Sequence, residues 1–310
     1  MGKYIPRELV GVFAALPTPF GREGNPLMEA QDALVDFALD HGLEGLCLGG
    51  ATGEYAACSV EHRLEIFQRV ARRVKGRARL ICAIGAEHAG QVKQLARAAA
   101  DCGAIALLFP PPAFQPYAQD DLVDFMGQVS ADLPLPVLLY NLPQCTRDLG
   151  MANILRLIAT VPNIIGLKDS SGREANLAAI SEAQTQTPMA FFMGSDDLLL
   201  EAFAHGAVGV ISGIAGACPE LILPVYEALR TGKIEQARAM QSPLDEFILH
   251  FRELPPPWAT KLALRVRGLE IGSLAWPMGS HLRQRAQEFQ DWFAGQIASQ
   301  EAGVPIPARV

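Results

Sequence analysis

The sequence predicts an α/β protein, a (β/α)8 or TIM barrel followed by a C-terminal helical extension, and three observations support this fold class. Short apolar runs alternate along the chain with amphipathic segments of about ten to fifteen residues. There are eight runs and eight segments, which is the number that closes a barrel of parallel strands. The runs are apolar throughout rather than at every second position, which indicates strands that are covered on both faces.

The elements can be assigned in chain order. The runs rich in Leu, Ile, Val and Phe are predicted to form strands over 10–16, 46–49, 80–84, 105–109, 137–140, 164–167, 190–193 and 208–212. The segments between them are predicted to form helices over 29–41, 59–75, 88–101, 119–131, 151–160, 173–185, 196–205 and 218–230. An open doubly wound sheet is the alternative, but the GxGxxG turn expected after its first strand is missing, because the sequence there reads LPTPFGREG.

The remainder of the chain carries helical patterns only. They read IEQARAMQSPLDEFILHF, WATKLALRV and HLRQRAQEFQDWFAGQIA. We therefore assign residues 1–230 to the barrel, which carries the active site, and residues 231–310 to a helical extension packed against it.

Composition narrows the class of protein. The chain has 310 residues, of which 50% are hydrophobic and 19% charged, and its net charge is −7. An acidic chain without a basic stripe is a poor partner for nucleic acid and for anionic membranes. No run reaches the roughly 18 apolar residues of a membrane-spanning helix, and the six cysteines form no CxxC pair. We expect a cytoplasmic protein whose thiols are reduced and mostly buried.

Lys168 is the most informative residue, because it directly ends the apolar run IIGL, which is typical of a buried strand. An amine in that environment is costly to charge, and a neutral amine is the nucleophile that condenses with a ketone to a Schiff base. The alternative is that Lys168 forms a structural ion pair with Asp169 or another carboxylate. Spacing alone does not decide between the two.

Tyr140 ends the preceding strand, so its hydroxyl can lie near Lys168 and move protons during a reaction. A core tyrosine with a satisfied hydroxyl is the alternative. The glycine-rich loop at 49–54 carries Ala51 and Thr52, whose amides and hydroxyl suit a small anion such as a carboxylate. The far end of the pocket is predicted to be lined by Gly194, Ser195, Asp196, Ile211, Ser212 and Gly213. Turn and helix-cap roles are equally open for these residues.

No metal or cofactor site is predicted. The six histidines are scattered and lack ligand spacing such as HExxH, and His88 with Glu87 is the only plausible start of a metal site. A P-loop and a GxSxG nucleophile elbow are also missing.

These strand-end residues resemble those of the dihydrodipicolinate synthase/N-acetylneuraminate lyase family of class I, Schiff-base-forming pyruvate aldolases. The likeness rests on GATGE at 50–54, YNLP at 140–143, GLKDSSG at 166–172 and GSDD at 194–197, and it covers essentially the whole chain. The resemblance implies that Lys168 forms the Schiff base and that Tyr140 relays protons. It also implies that the Thr52 hydroxyl and the amides of Ala51 and Thr52 hold the carboxylate of a 2-keto acid. It further implies that the enzyme uses no cofactor and that the protein is a homotetramer built from dimers.

Three positions depart from the family pattern. Ala51 stands where a second hydroxyl residue is common, Phe114 where the synthases have a tyrosine, and Cys145 where they have an arginine. We therefore predict an aldolase or lyase that makes or breaks a C–C bond between pyruvate and an aldehyde, with a 2-keto-3-deoxy acid as the cleaved substrate. A sugar-acid dehydratase or a dihydrodipicolinate (4-hydroxy-tetrahydrodipicolinate) synthase of the same family is the alternative. A non-catalytic 2-keto-acid-binding protein is the alternative from another class.

Overall fold

The computed structural model describes residues 5–301, with side chains to residue 299, and it confirms the (β/α)8 barrel. Eight parallel strands follow one another around the barrel in chain order, and β1 pairs with β8 to close it. The strands are β1 (Gly11–Ala15), β2 (Gly45–Leu48), β3 (Arg79–Ala83), β4 (Ala106–Phe109), β5 (Val137–Asn141), β6 (Ile164–Asp169), β7 (Ala190–Met193) and β8 (Gly209–Ser212). Each lies within one or two residues of its predicted run.

Helices follow the strands as the amphipathic pattern predicts. They are α1 (Met28–Asp40), α2 (Val60–Val74), α3 (Ala89–Asp101), α4 (Gln119–Ala131), α5 (Met151–Thr160), α6 (Ala175–Gln184), α7 (Leu199–Ala204), α8 (Pro219–Arg230), α9 (Ile234–Phe251), α10 (Pro256–Val266) and α11 (Ser280–Glu301). Short 3₁₀ turns lie at Tyr55–Ala57 and Asp196–Leu198.

The helix predicted over 196–205 was wrong in its first turn, since α7 begins only at Leu199. The side chain of Asp196 accepts a hydrogen bond from Ser212 at 2.8 Å, and its carbonyl oxygen accepts one from the Gln241 amide at 3.0 Å. These two contacts hold Asp196 against the barrel mouth, where it begins a 3₁₀ turn that precedes the α-helix.

The hydrophobic core has two layers. Inside the barrel, side chains such as Ile81, Leu108 and Ile165 fill the space, and the rings of Phe13 and Phe192 meet edge to face with centroids 5.7 Å apart. A second, larger cluster lies between the strands and the surrounding helices. Because the interior is packed, a ligand has room only at the open end of the barrel.

The C-terminal helices belong to that second cluster. Aromatic rings of α9 and α11 pack together, with Phe247 contacting Phe289, Trp292 and Phe293 at centroid distances of 5.4–6.0 Å. The boundary after residue 230 remains a prediction, and residues 302–310 of the predicted extension lie outside the described residues.

Two further observations concern the whole described chain. Between residues 5 and 301, no helix combines the length and the apolar character needed to cross a membrane. All six cysteines are free thiols: Cys47, Cys82 and Cys218 are buried, Cys58 and Cys102 are half-buried, and Cys145 is exposed.

Candidate active site

Lys168 and Tyr140 lie side by side at the open end of the barrel. They are paired neighbours on β6 and β5, and both side chains are buried, with exposed fractions of 5% and 4%. The Lys168 Nζ atom donates a hydrogen bond to the Tyr140 hydroxyl oxygen at 3.2 Å and lies 4.4 Å from the centroid of its ring. An amine and a phenol in contact at the base of a cavity can exchange a proton during a reaction.

Asp169 does not pair with this lysine. Successive side chains of a strand point to opposite faces, so Asp169 points away from the barrel axis. Its carboxylate accepts hydrogen bonds from Asn141, the Ser171 amide and Asn176, at 2.8, 3.0 and 3.1 Å. Among the described side chains, no carboxylate forms an ion pair with Lys168, so the structural ion pair left open by the sequence is not formed.

A cavity of about 400 Å³ opens above Lys168 and Tyr140. The cavity is lined by five residues that the sequence predicted as substrate-binding: Ala51, Thr52, Gly194, Ile211 and Gly213. The sixth, Ser212, does not line it. Ser212 is fully buried behind the wall, where its hydroxyl donates to Asp196 and accepts from the Ala215 amide at 3.0 Å. Ser212 therefore supports a wall residue rather than facing the cavity itself.

Gly194 leaves space for the lysine. A Cβ atom at this position would lie 2.5 Å from the Lys168 Cε atom and would overlap the Ser170 hydroxyl. Ser170 lies two residues after Lys168, on the same face of the chain, and lines the cavity with a buried hydroxyl that has no hydrogen-bond partner among the described residues. The spacing of two from Lys168 was the sequence signal that could have assigned Ser170 to the site.

The wall at 49–54 is a tight turn. The Glu54 amide donates to the Ala51 carbonyl oxygen at 3.0 Å, and the Thr18 hydroxyl donates to the Gly53 carbonyl oxygen at 2.8 Å. A Cβ atom at Gly213 would lie only 2.9 Å from the Thr52 hydroxyl, so the turn touches the end of β8. This arrangement presents the Thr52 hydroxyl beside the cavity on a fixed backbone.

The opposite wall is acidic. Burial raises the pKa of the Asp196 carboxyl from 3.8 to about 7, although the Ser212 hydrogen bond and the charge of Lys168 act in the other direction. Its Oδ1 atom is buried and makes no hydrogen bond to any described residue. The neighbouring Asp197 forms an ion pair with Arg252 at 2.6 Å.

The sequence reasoning missed part of the wall. Five residues of the C-terminal helices and the segment between them reach over the cavity: Ile248, Phe251, Arg252, Pro256 and Pro257. Cys145 also lines it, whereas Phe114 does not and is 78% exposed. Within residues 5–301, no group of three or more His, Cys, Asp or Glu side chains is arranged to hold a metal ion.

Comparisons with known proteins agree with this geometry. The model of the Dihydrodipicolinate synthetase family matches residues 8–294. The 4-hydroxy-tetrahydrodipicolinate synthase of Bacillus subtilis is 30% identical over 86% of this chain and 92% of its own length, and that of Corynebacterium aurimucosum is 34% identical over 87% and 88%. A prophage protein from E. coli K12, of the dihydrodipicolinic acid synthase family and solved in complex with pyruvate, superposes with a TM-score of 0.85 at 23% identity, covering 93% of this chain and 98% of the other.

Proposed function

Since the chain belongs to the dihydrodipicolinate synthetase family, whose members are class I lyases that work through a Schiff base, we propose that Lys168 is the amine that captures the substrate. The family match confirms the resemblance predicted from the GATGE, YNLP and GLKDSSG motifs. The observation that carries the proposal is the contact of Lys168 with Tyr140 at 3.2 Å, in a buried position without a carboxylate partner among the described side chains.

The reaction begins with addition of the Lys168 amine to the C2 ketone of a 2-keto acid. The carbinolamine hydroxyl takes a proton from the Tyr140 phenol and leaves as water, which gives a protonated imine that withdraws electrons from the C3–C4 bond. The Tyr140 phenolate then accepts the proton of the C4 hydroxyl as that bond breaks, so that an aldehyde leaves and an enamine stays on Lys168. Protonation of the enamine at C3 and hydrolysis of the imine then release pyruvate and restore the free amine. Synthesis follows the same steps in reverse.

The turn at 49–54 is proposed to hold the substrate carboxylate. The Thr52 hydroxyl and the amides of Ala51 and Thr52 are the donors, and they lie on the cavity wall. Donors fixed on a folded turn stabilise an anion without having to reorganise when the imine forms. No metal or cofactor has a part in this proposal.

The chemistry of the far wall supports a hydroxylated aldehyde. Ser170 and Asp196 line this wall, and each has a buried side-chain oxygen without a partner among the described residues, which a ligand hydroxyl would satisfy once the side chain rotates toward the cavity. A 2-keto-3-deoxy sugar acid would bring hydroxyl groups to this place. We therefore propose cleavage of such acids to pyruvate and an aldehyde, with dehydration of the same acids as the alternative outcome at the imine stage.

A 4-hydroxy-tetrahydrodipicolinate synthase is the second candidate, because the curated relatives at 30–34% identity carry that name. Phe114 and Cys145 argue against it, since they replace a phenol and a cation at positions where the synthases have them. A screen for pyruvate release from 2-keto-3-deoxy acids separates these candidates. An aldolase releases pyruvate from such an acid, and a dehydratase gives a product that retains every carbon. A synthase releases none and instead consumes pyruvate that is supplied to it.

Reductive trapping tests the proposal directly. Incubation with pyruvate and borohydride is expected to add the mass of one reduced pyruvate to Lys168, and Lys168→Ala should remain unlabelled. Tyr140→Phe keeps the amine but loses the phenol, so we expect it to be trapped while its turnover falls on the order of 10²-fold or more. Labelling of Lys168→Ala to the wild-type extent, or of another residue in the wild-type protein, would falsify the assignment.

We also propose a homotetramer built from dimers, in the cytoplasm. Large apolar side chains are exposed at Phe114 and Trp276, and an interface between subunits would remove them from water. Light scattering at micromolar concentration tests the assembly, and a monomer would contradict it.

The proposed location in the cytoplasm is supported by the six free thiols, which fit a reducing compartment.

A further inference from the structure

A buried ion pair joins the C-terminal helices to the turn at 49–54. Lys261 of α10 is completely buried, and its Nζ atom forms an ion pair with Glu54, whose side chain is 7% exposed. The same Nζ atom lies 4.5 Å from the ring centroid of Phe20 and 3.4 Å from the carbonyl oxygen of Ser273. Both charged groups have therefore left water, and each depends on the other for compensation.

Glu54 is also part of the turn's backbone. Its amide donates to the Ala51 carbonyl oxygen at 3.0 Å, and its own carbonyl oxygen accepts from the Ala57 amide at 2.8 Å. Its φ of 51° lies in the left-handed region, which residues other than glycine adopt rarely and only where the surroundings hold them. The ion pair with Lys261 is such a constraint on this residue.

The residue before Lys261 in α10 also approaches this place. Thr260 is buried beside Lys261, and its hydroxyl lies 3.6 Å from where a Cβ atom of Gly213 would be. The Thr52 hydroxyl lies 2.9 Å from that same position. Consecutive residues of α10 thus border both the turn at 49–54 and the end of β8 that the turn contacts.

From this geometry we infer that the Lys261–Glu54 ion pair positions the turn at 49–54 so that Ala51 and Thr52 bind the carboxylate of the 2-keto acid. The inference rests on the proposed function and adds two positioning residues to it, one of them in the C-terminal helices. Buried ion pairs in proteins are often no more stabilising than apolar pairs of similar volume, so stability alone does not explain a charged pair here. A charged pair in addition fixes the distance and direction between α10 and the turn.

Three variants and one matched control test the inference. Lys261→Met and Glu54→Gln each remove one charge with little change of shape, and the double variant removes both. Arg265→Met is the control, because Arg265 is a cation on the same helix whose exposed side chain contacts the Gly272 carbonyl oxygen instead of the turn. The readouts are the pyruvate concentration that gives half-maximal borohydride trapping, the trapping rate at saturating pyruvate, and the melting temperature.

We expect the half-saturating pyruvate concentration to rise about tenfold in the three variants and to stay unchanged in the control. The rate at saturation should change less than about threefold, because the Lys168–Tyr140 contact involves neither Lys261 nor Glu54 and only uniform binding is lost. The double variant should regain much of the melting temperature lost in Lys261→Met, since no unpaired charge remains buried. Its half-saturating concentration should nevertheless remain high, which a purely stabilising role would not produce.

The contrary outcomes are distinguishable. If Glu54→Gln and the double variant have the half-saturating pyruvate concentration of the wild-type protein, the ion pair serves stability alone. The proposed function would still stand. Failure of the wild-type protein to trap pyruvate would remove the proposed function and this inference together. If Lys261→Met or Glu54→Gln does not fold, the double variant decides the question, because it leaves neither charge buried without its partner.

Discussion

At the scale of single residues, Asp196 shows how burial changes the chemistry of the cavity. Ser212 donates to its carboxyl group and Lys168 attracts its charge, while Asp197 repels that charge and Arg252 partly compensates it. Burial outweighs the favourable contacts, and the pKa of Asp196 rises to about 7. Near neutral pH the group can thus donate a proton to a ligand oxygen or accept one from a ligand hydroxyl.

This pKa has a consequence for stability. The unfolded chain has the ordinary value near 4, so the stabilising contribution of the protonated group is complete below that pH and is lost as the pH rises through 7. Between pH 5 and pH 8 the loss is on the order of 3 kcal/mol, because one pKa unit corresponds to about 1.4 kcal/mol. Asp196→Asn should lack this part of the pH dependence.

Urea unfolding of the wild-type protein and of Asp196→Asn at pH 5 and pH 8 measures the difference. The free energy of unfolding should fall more steeply with pH in the wild-type protein. Parallel pH dependences in the two proteins would show that Asp196 is already ionised at pH 5.

At the scale of elements, the ends of β5, β6 and β7 determine where the reacting atoms lie. Tyr140 and Lys168 are register partners, and Lys168 is in turn the partner of Phe192, two residues before Gly194. The lysine is thus enclosed between a phenol on one neighbouring strand and the end of the other. Gly194 provides the space that its Cε atom needs.

Gly194→Ala should therefore reduce activity. The added methyl group would meet the Lys168 Cε atom and the Ser170 hydroxyl, and a shift of about 1 Å in a reacting group can lower a rate on the order of 10²-fold. The rate of pyruvate trapping at saturation is the measurement. Gly295→Ala on α11 is the control, because a Cβ atom there meets nothing within 4 Å. A wild-type trapping rate in Gly194→Ala would show that the Lys168 side chain can adopt another position without losing its reactivity.

At the scale of the whole molecule, the barrel and the C-terminal helices share one core. A single hydrophobic cluster includes Val12 of β1 and Phe67 of α2 together with Leu244 of α9 and Leu262 of α10. The cavity is likewise bordered by both parts of the chain. The two parts are therefore expected to fold together, although their division after residue 230 was predicted from the sequence pattern.

Truncation tests that expectation. A chain that ends at residue 230 would expose the apolar surface that α9–α11 cover and would leave Glu54 without Lys261. We expect it to be largely insoluble and unable to trap pyruvate. A soluble, cooperatively unfolding fragment that traps pyruvate would show instead that the barrel is an independent domain.

Much of this architecture was predictable from local patterns. Eight apolar runs gave the strands, and the position of Lys168 and Tyr140 directly at strand ends was sufficient to place them together, because adjacent parallel strands end at the same edge. The position of Ser212 behind the wall follows from the alternation of side chains along β8, because its neighbour Ile211 faces the cavity, and the prediction that both residues line the pocket did not apply that rule. The pairing of Glu54 with Lys261 depends on how α10 packs across the barrel, which no local pattern encodes.

The packed interior beneath Lys168 also constrains the order of events in the proposed reaction. Phe13 and Phe192 close the barrel from below, so everything must pass through the one mouth above the amine. During the proposed cleavage the aldehyde would lie between that opening and the three-carbon fragment still attached to Lys168. The aldehyde must therefore depart first and pyruvate second. In the synthetic direction pyruvate has to arrive before its partner, and an aldehyde that enters early blocks the route to the nucleophile.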